Sequence, residues 1–235
     1  MRVLPSLFLA ALLVPTVGFA ESNKPDSKIH PVVVSMPIDR AVDSYQIYSA
    51  LIPVGETAGK RWPHAFYVVR KTTVPVVPAG QPCWEPSTSN NDYDWNMNPH
   101  LSVHPPADRA EDFEEILNDF DAHCHQRVRL MAGAFTTPAP VRILSPAEQD
   151  EFRAALLPGS TAMEKYRGAP ALYSFSQVYF NKRHTVALVY ASQSCGSLCG
   201  EGTWYALALD GGHWKPLHWR TDGWSSDILL ARGGD

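Results

Sequence analysis

From residue 172 to residue 219 the chain alternates apolar and polar residues in short runs, and this pattern narrows its folding options most. Residues 173–180 read as one strand and 184–192 as the next, joined by Asn181-Lys182-Arg183. Residues 203–209 follow, then Asp210-Gly211-Gly212, then 213–219. Period two sends successive side chains to opposite faces of a strand, and Asp-Gly-Gly between two such runs is a strong hairpin signal. Short connections force sequence-adjacent strands to run antiparallel. The C-terminal half is thus predicted to be an antiparallel meander of about four to five strands, with 226–231 available as an edge strand.

Helical spacing dominates what precedes it. Asp39 stands where it can cap a helix over about 40–52, in which Ala41, Tyr45, Tyr48 and Leu51 or Ile52 recur on one face before Pro53 stops it. Residues 65–69 (Ala-Phe-Tyr-Val-Val) are aromatic and β-branched, as in a strand. Asp108 with Glu111 forms a capping-box pattern, and the helix it opens buries Phe113, Ile116, Leu117 and Phe120. Its acidic residues, Glu111, Asp112, Glu114, Glu115, Asp119 and Asp121, read as a solvated surface rather than a cation site. Ser145-Pro146-Ala147-Glu148 is a cleaner start, opening a helix that buries Phe152 and Leu156 and ends at Pro158-Gly159. A shorter helix begins at Thr161. The expected class is α+β, with helices packed on one face of the meander.

The first twenty residues read as a cleavable export signal. Arg2 supplies a positive start, the apolar run from Leu7 to Val14 is too short to span a bilayer, and Gly18-Phe19-Ala20 offers small residues for cleavage. Residues 21–38 form a polar lead-in arm, and 39–235 a single domain. Cleavage removes Arg2 and takes the formal charge from −4 to −5. A mildly acidic chain with scattered basic residues has no electrostatic footprint for nucleic acid. No later run is apolar enough for a membrane span after cleavage. The expected location is periplasmic or secreted.

Residues 74–107 hold seven prolines and no period, and read as a long loop insertion. Trp84, Tyr93 and Trp95 on it are candidate ligand contacts, a stacking platform for sugars or peptides, with folded-back loop anchors as the alternative. Four cysteines in an oxidising compartment read as two disulfides. Cys195 and Cys199 are too glycine-flanked for a helix and wrongly spaced for a redox pair. They read as a bridge closing a tight link between two strands, with Gly196, Gly200 and Gly202 supplying positive φ. Cys83 and Cys124 then pair by elimination, although spacing alone leaves both other connectivities open.

The string Phe175-Ser176-x-Val178-x-Phe180-Asn181, the strand Ala187-Leu188-Val189-Tyr190, and Cys195-Gly196-x-Leu198-Cys199-Gly200-x-Gly202 resemble a set of uncharacterised bacterial exported proteins. Tyr205, the turn before Trp214, the helix around Tyr45-x-Ile47-Tyr48 and the Leu144-Ser145 helix start are similar too, while 74–107 departs as an insertion. The resemblance implies export and a continuous fold. It supplies no catalytic residue.

Histidines stand at His100, His104, His123 and His125, on either side of one helix. Prolines flank the first pair and a bridged cysteine sits inside the second, so water-satisfied histidines outrank a zinc or copper site, and no cofactor is implied. No G-x-S-x-G, H-E-x-x-H or P-loop string occurs. The reading that follows is an exported, non-catalytic module binding a partner or small ligand through its loops and hairpin tips. A hydrolase with a carboxylate and histidine site is the alternative, and a metal-handling protein the third.

Overall fold

Main-chain hydrogen bonds assemble the alternating segments in the order β1 (Val33–Ser35), α1 (Ile38–Leu51), β2 (Tyr67–Arg70), α2 (Pro99–Ser102), β3 (Val103–His104), α3 (Ala110–His123) and β4 (Arg127–Arg129). There follow β5 (Val141–Leu144), α4 (Pro146–Ala155), β6 (Leu172–Phe175), β7 (Tyr179–Phe180), β8 (Val186–Gly196), β9 (Cys199–Asp210), β10 (His213–Leu217), β11 (Arg220–Thr221) and β12 (Trp224–Ser225). The computed structural model describes residues 32–52, 66–75, 77, 82–83, 98–157, 159–196 and 199–225. The signal segment, Trp84, Tyr93, Trp95 and the 226–231 strand lie outside the described residues.

The fold is α+β. Its main sheet has the order β10-β9-β8-β6-β2-β5, with β7 also on β8 and β12 also on β9. The C-terminal strands β6, β8, β9 and β10 pair antiparallel, as period two and short links require. The β9–β10 connection is the two-residue turn Gly211-Gly212, with φ of 58° and 80°. Only glycine takes two successive positive φ values without steric cost. The sheet as a whole is mixed, because β2 runs parallel to both β5 and β6.

The single strand expected over 173–180 is broken in two. At the break the Ser176 N–H donates to the Tyr190 carbonyl (2.8 Å), and the Tyr190 N–H donates to Ser176 Oγ (2.9 Å). A side chain thus stands in for one ladder partner and keeps the buried amide satisfied.

Helices cover both faces, which corrects the one-face expectation. Tyr45, Tyr48 and Leu51 of α1 pack with Val69, Tyr173, Phe175, Val189 and Leu207. Ile116 and Phe120 of α3 pack with Leu188, Tyr190, Trp204 and Ala206 on the opposite face. Phe152 and Ala155 of α4 cover Val68 and Leu172. Neighbours in β8 such as Leu188 and Val189 are both fully buried, so the strand is apolar on both sides rather than half-solvated. Each such side chain contributes about 1.5–3 kcal/mol of burial.

The helix starts divide by how local their causes are. Ser145 caps α4 through a complete capping box with Glu148, as expected. Asp39 does not cap α1: the helix begins one residue earlier, at Ile38 after Pro37. Asp108 does not cap α3: it lies in a 3₁₀ turn over Ala107–Arg109, and α3 follows without a side-chain cap. The lead-in arm is in part a strand, since β1 pairs parallel with β4. Among the described residues no helix is long and apolar enough to cross a membrane.

Candidate functional site

Both bridges form as expected. Cys83 and Cys124 are 41 residues apart in sequence and 6.1 Å apart at Cα. Cys195 and Cys199 are four residues apart and 5.1 Å apart at Cα, closing the tip of the β8–β9 hairpin. Of the three glycines around this tip only Gly196 has a positive φ, at 148°. Gly200 and Gly202 do not, because they sit in the ladder opposite Ser194 and Ser192.

The acidic side of α3 is not simply solvated. Asp112, 7 % exposed, accepts hydrogen bonds from Arg109 Nη1 (3.0 Å), Asn181 Nδ2 (2.8 Å) and Arg183 Nη2 (3.2 Å). Burial pushes its carboxyl up, but these three donors outweigh burial and hold it below the usual carboxylate value. Asp119 accepts from the Arg40 guanidinium and from the Phe180 N–H (2.8 Å), with His123 Nδ1 at 3.1 Å. Here too burial is overcome, by the His123 hydrogen bond and then the Arg40 charge. Glu115 takes the Lys182 N–H at 3.1 Å. Three carboxylates therefore clamp the 181–183 turn and α1 onto α3. Glu111 and Glu114 remain exposed, as expected for a helix surface.

The four histidines do not gather. His100 Nε2 lies 2.8 Å from Asp121, and His104 Nε2 lies 3.6 Å from Asp222. His123 belongs to the Asp119 cluster, where that hydrogen bond holds its pKa above the ordinary value against partial burial. His125 instead faces the Cys83–Cys124 bridge.

The remaining feature is a small, open hollow of about 20 Å³ where the C-terminal end of α1 meets the sheet. Leu51, Tyr173, Phe175, Ala191, Ser192, Gln193, Glu201 and Tyr205 line it. Gln193 and Glu201 are cross-strand partners, and Gln193 Nε2 donates to Glu201 Oε1 at 2.8 Å. Burial, and then the nearby Glu201 charge, push the Tyr205 hydroxyl up, so it stays protonated at physiological pH. Cys195 packs against the same apolar cluster, which sets the bridged tip beside the hollow. One carboxylate, one amide and several aromatic rings make a pocket suited to a cationic group.

Sequence reasoning missed Gln193, Glu201 and Tyr205. Each reads as an ordinary strand residue until the β8–β9 register puts Gln193 opposite Glu201. No family model, curated protein or solved structure matches this chain.

Proposed function

We propose that the chain is an exported, disulfide-braced binding module whose ligand surface is the hollow between α1, β6, β8 and β9. The observation that carries this reading is the hollow itself, which Glu201 and Tyr205 both line in an apolar, aromatic setting beside a covalently closed tip. The hollow is shallow and open, so it offers a surface to a charged group rather than enclosing it. The Glu201 carboxylate selects positive charge, so the ligand class is a peptide or small molecule presenting a guanidinium or ammonium. Export rests on the N-terminal pattern and is supported by two disulfides, which persist in oxidising compartments. The resemblance to bacterial exported proteins adds to it on the residues of the tip motif.

The hydrolase reading has less support. Asp119, the partner of His123, is already engaged by Arg40 and the Phe180 amide, and His100 and Asp121 are taken up by each other at 2.8 Å. A general base needs an oxygen or nitrogen free to reach substrate.

The test is an NMR titration of ¹⁵N-labelled protein with N-acetyl-arginine amide, and with N-acetyl-glutamine amide as the neutral control. The arginine probe should bind with Kd on the order of 1 mM, shifting amides at 51, 173–175, 191–193 and 201–205. Glu201→Gln should weaken it about fivefold or more. Equal shifts with the neutral probe, or shifts centred elsewhere, would sink the proposal.

A further inference from the structure

We propose that reduction of the Cys83–Cys124 bridge turns it, together with His125, into a binding site for a zinc ion. One ligand atom each from Cys83, Cys124 and His125 lie within 4.8 Å of one another, the only such group of three among the described residues. His125 Nδ1 is buried and has no hydrogen-bond partner among the described residues while the bridge is closed. A buried imidazole nitrogen with no partner, on a histidine whose ring lies beside two sulfurs, is unfavourable unless some state of the protein gives it a partner. Reduction supplies that state.

The chemistry balances with a dithiol as reductant. Its two thiols give two electrons and two protons to the bridge, the S–S bond breaks, and the donor becomes a disulfide. Zinc then displaces both thiol protons to solvent and takes two thiolates and one imidazole, with no further redox change. Two thiolates cancel the charge of a divalent ion. That neutrality suits the surroundings, because Cys83 is 6 % and Cys124 1 % exposed among Val77, Phe120 and Tyr179. Three protein ligands leave the fourth tetrahedral position for water. Cys124 and His125 follow α3 directly, so the helix end holds two of the three ligands in place.

The experiment uses the full chain carrying Cys195→Ser and Cys199→Ser, so that only the Cys83 and Cys124 thiols can respond. Anaerobic protein, oxidised or reduced with a phosphine, is titrated with Zn²⁺ against a chromophoric chelator, and separately with Co²⁺. The oxidised form should bind no zinc tightly. The reduced form should keep its near-UV circular dichroism, bind one equivalent, melt at a higher temperature with zinc, and show a thiolate-to-cobalt charge-transfer band. His125→Gln should weaken binding at least tenfold and alter the cobalt spectrum. In the chain with all four cysteines, the same substitution should remove one tight equivalent. Unchanged affinity in His125→Gln, absence of a stoichiometric site, or loss of the near-UV signal on reduction before metal is added would each overturn the proposal.

Discussion

Asn181 is fully buried and uses every polar atom of its side chain. Its Oδ1 accepts from the Thr185 and Val186 amides (2.8 and 3.0 Å), and its Nδ2 donates to Asp112 and to Thr185 Oγ1 (2.8 and 3.1 Å). One side chain thus shapes the turn into β8 and ties that turn to α3. Asn181→Ala leaves two amides and a buried carboxylate short of partners, and should cost about 3 kcal/mol in urea unfolding. A loss below about 1 kcal/mol would show that water replaces it. The neighbouring cluster sets the pH response. Asp112 and Asp119 titrate below their ordinary 3.8, so their contribution is present above that pH and lost as pH falls through the folded values. His123 titrates above its ordinary 6.5, so its contribution is complete below 6.5 and lost as pH rises through the folded value. Melting temperature should therefore plateau between about pH 4 and 6.5 and decline on both sides. His123→Gln should flatten the alkaline decline and leave an acid limb. An unchanged alkaline slope would assign it to another group.

Among the elements, α4 owes its start to contacts within four residues. Ser145 Oγ accepts from the Glu148 amide while Glu148 Oε2 accepts from the Ser145 amide at 2.8 Å. Ser145→Ala should cost about 1 kcal/mol by thermal or urea unfolding, and no change would mean that packing alone starts the helix. This local character is why the start of α4, the glycine turn and the antiparallel strands were legible in the sequence. Asp39 and Asp108 show the limit. Both carry cap chemistry, yet α1 starts before Asp39, where Arg40 is drawn to Asp119, 79 residues away, and Asp108 is taken up in the 3₁₀ turn that leads into α3. Strand β1 was illegible for the same reason, since its partner β4 lies far along the chain and parallel pairing leaves no turn signal. The hollow was hidden more deeply, because it exists only once the β8–β9 register and the end of α1 are both in place.

At the scale of the whole molecule the two bridges have separate tasks. The Cys83–Cys124 bridge spans 41 residues, and in the chain-entropy account such a closure stabilises by about 4 kcal/mol. The Cys195–Cys199 bridge spans four, for which the same account gives about 2 kcal/mol. Replacing both members of the long bridge with alanine should therefore lower the melting temperature more than replacing both members of the short one. Equal or reversed losses would mean that the tip carries packing that loop length does not capture. The short bridge instead matters through position: Cys195 packs against the cluster that holds Tyr173 and Phe175, two of the residues that line the hollow. The most direct test of the binding account is the affinity for N-acetyl-arginine amide of the variant carrying Cys195→Ser and Cys199→Ser, measured alongside its melting temperature. We predict affinity lowered about fivefold or more while the melting temperature falls by no more than about 8 °C. Full affinity in this variant would contradict a ligand surface built on the bridged tip.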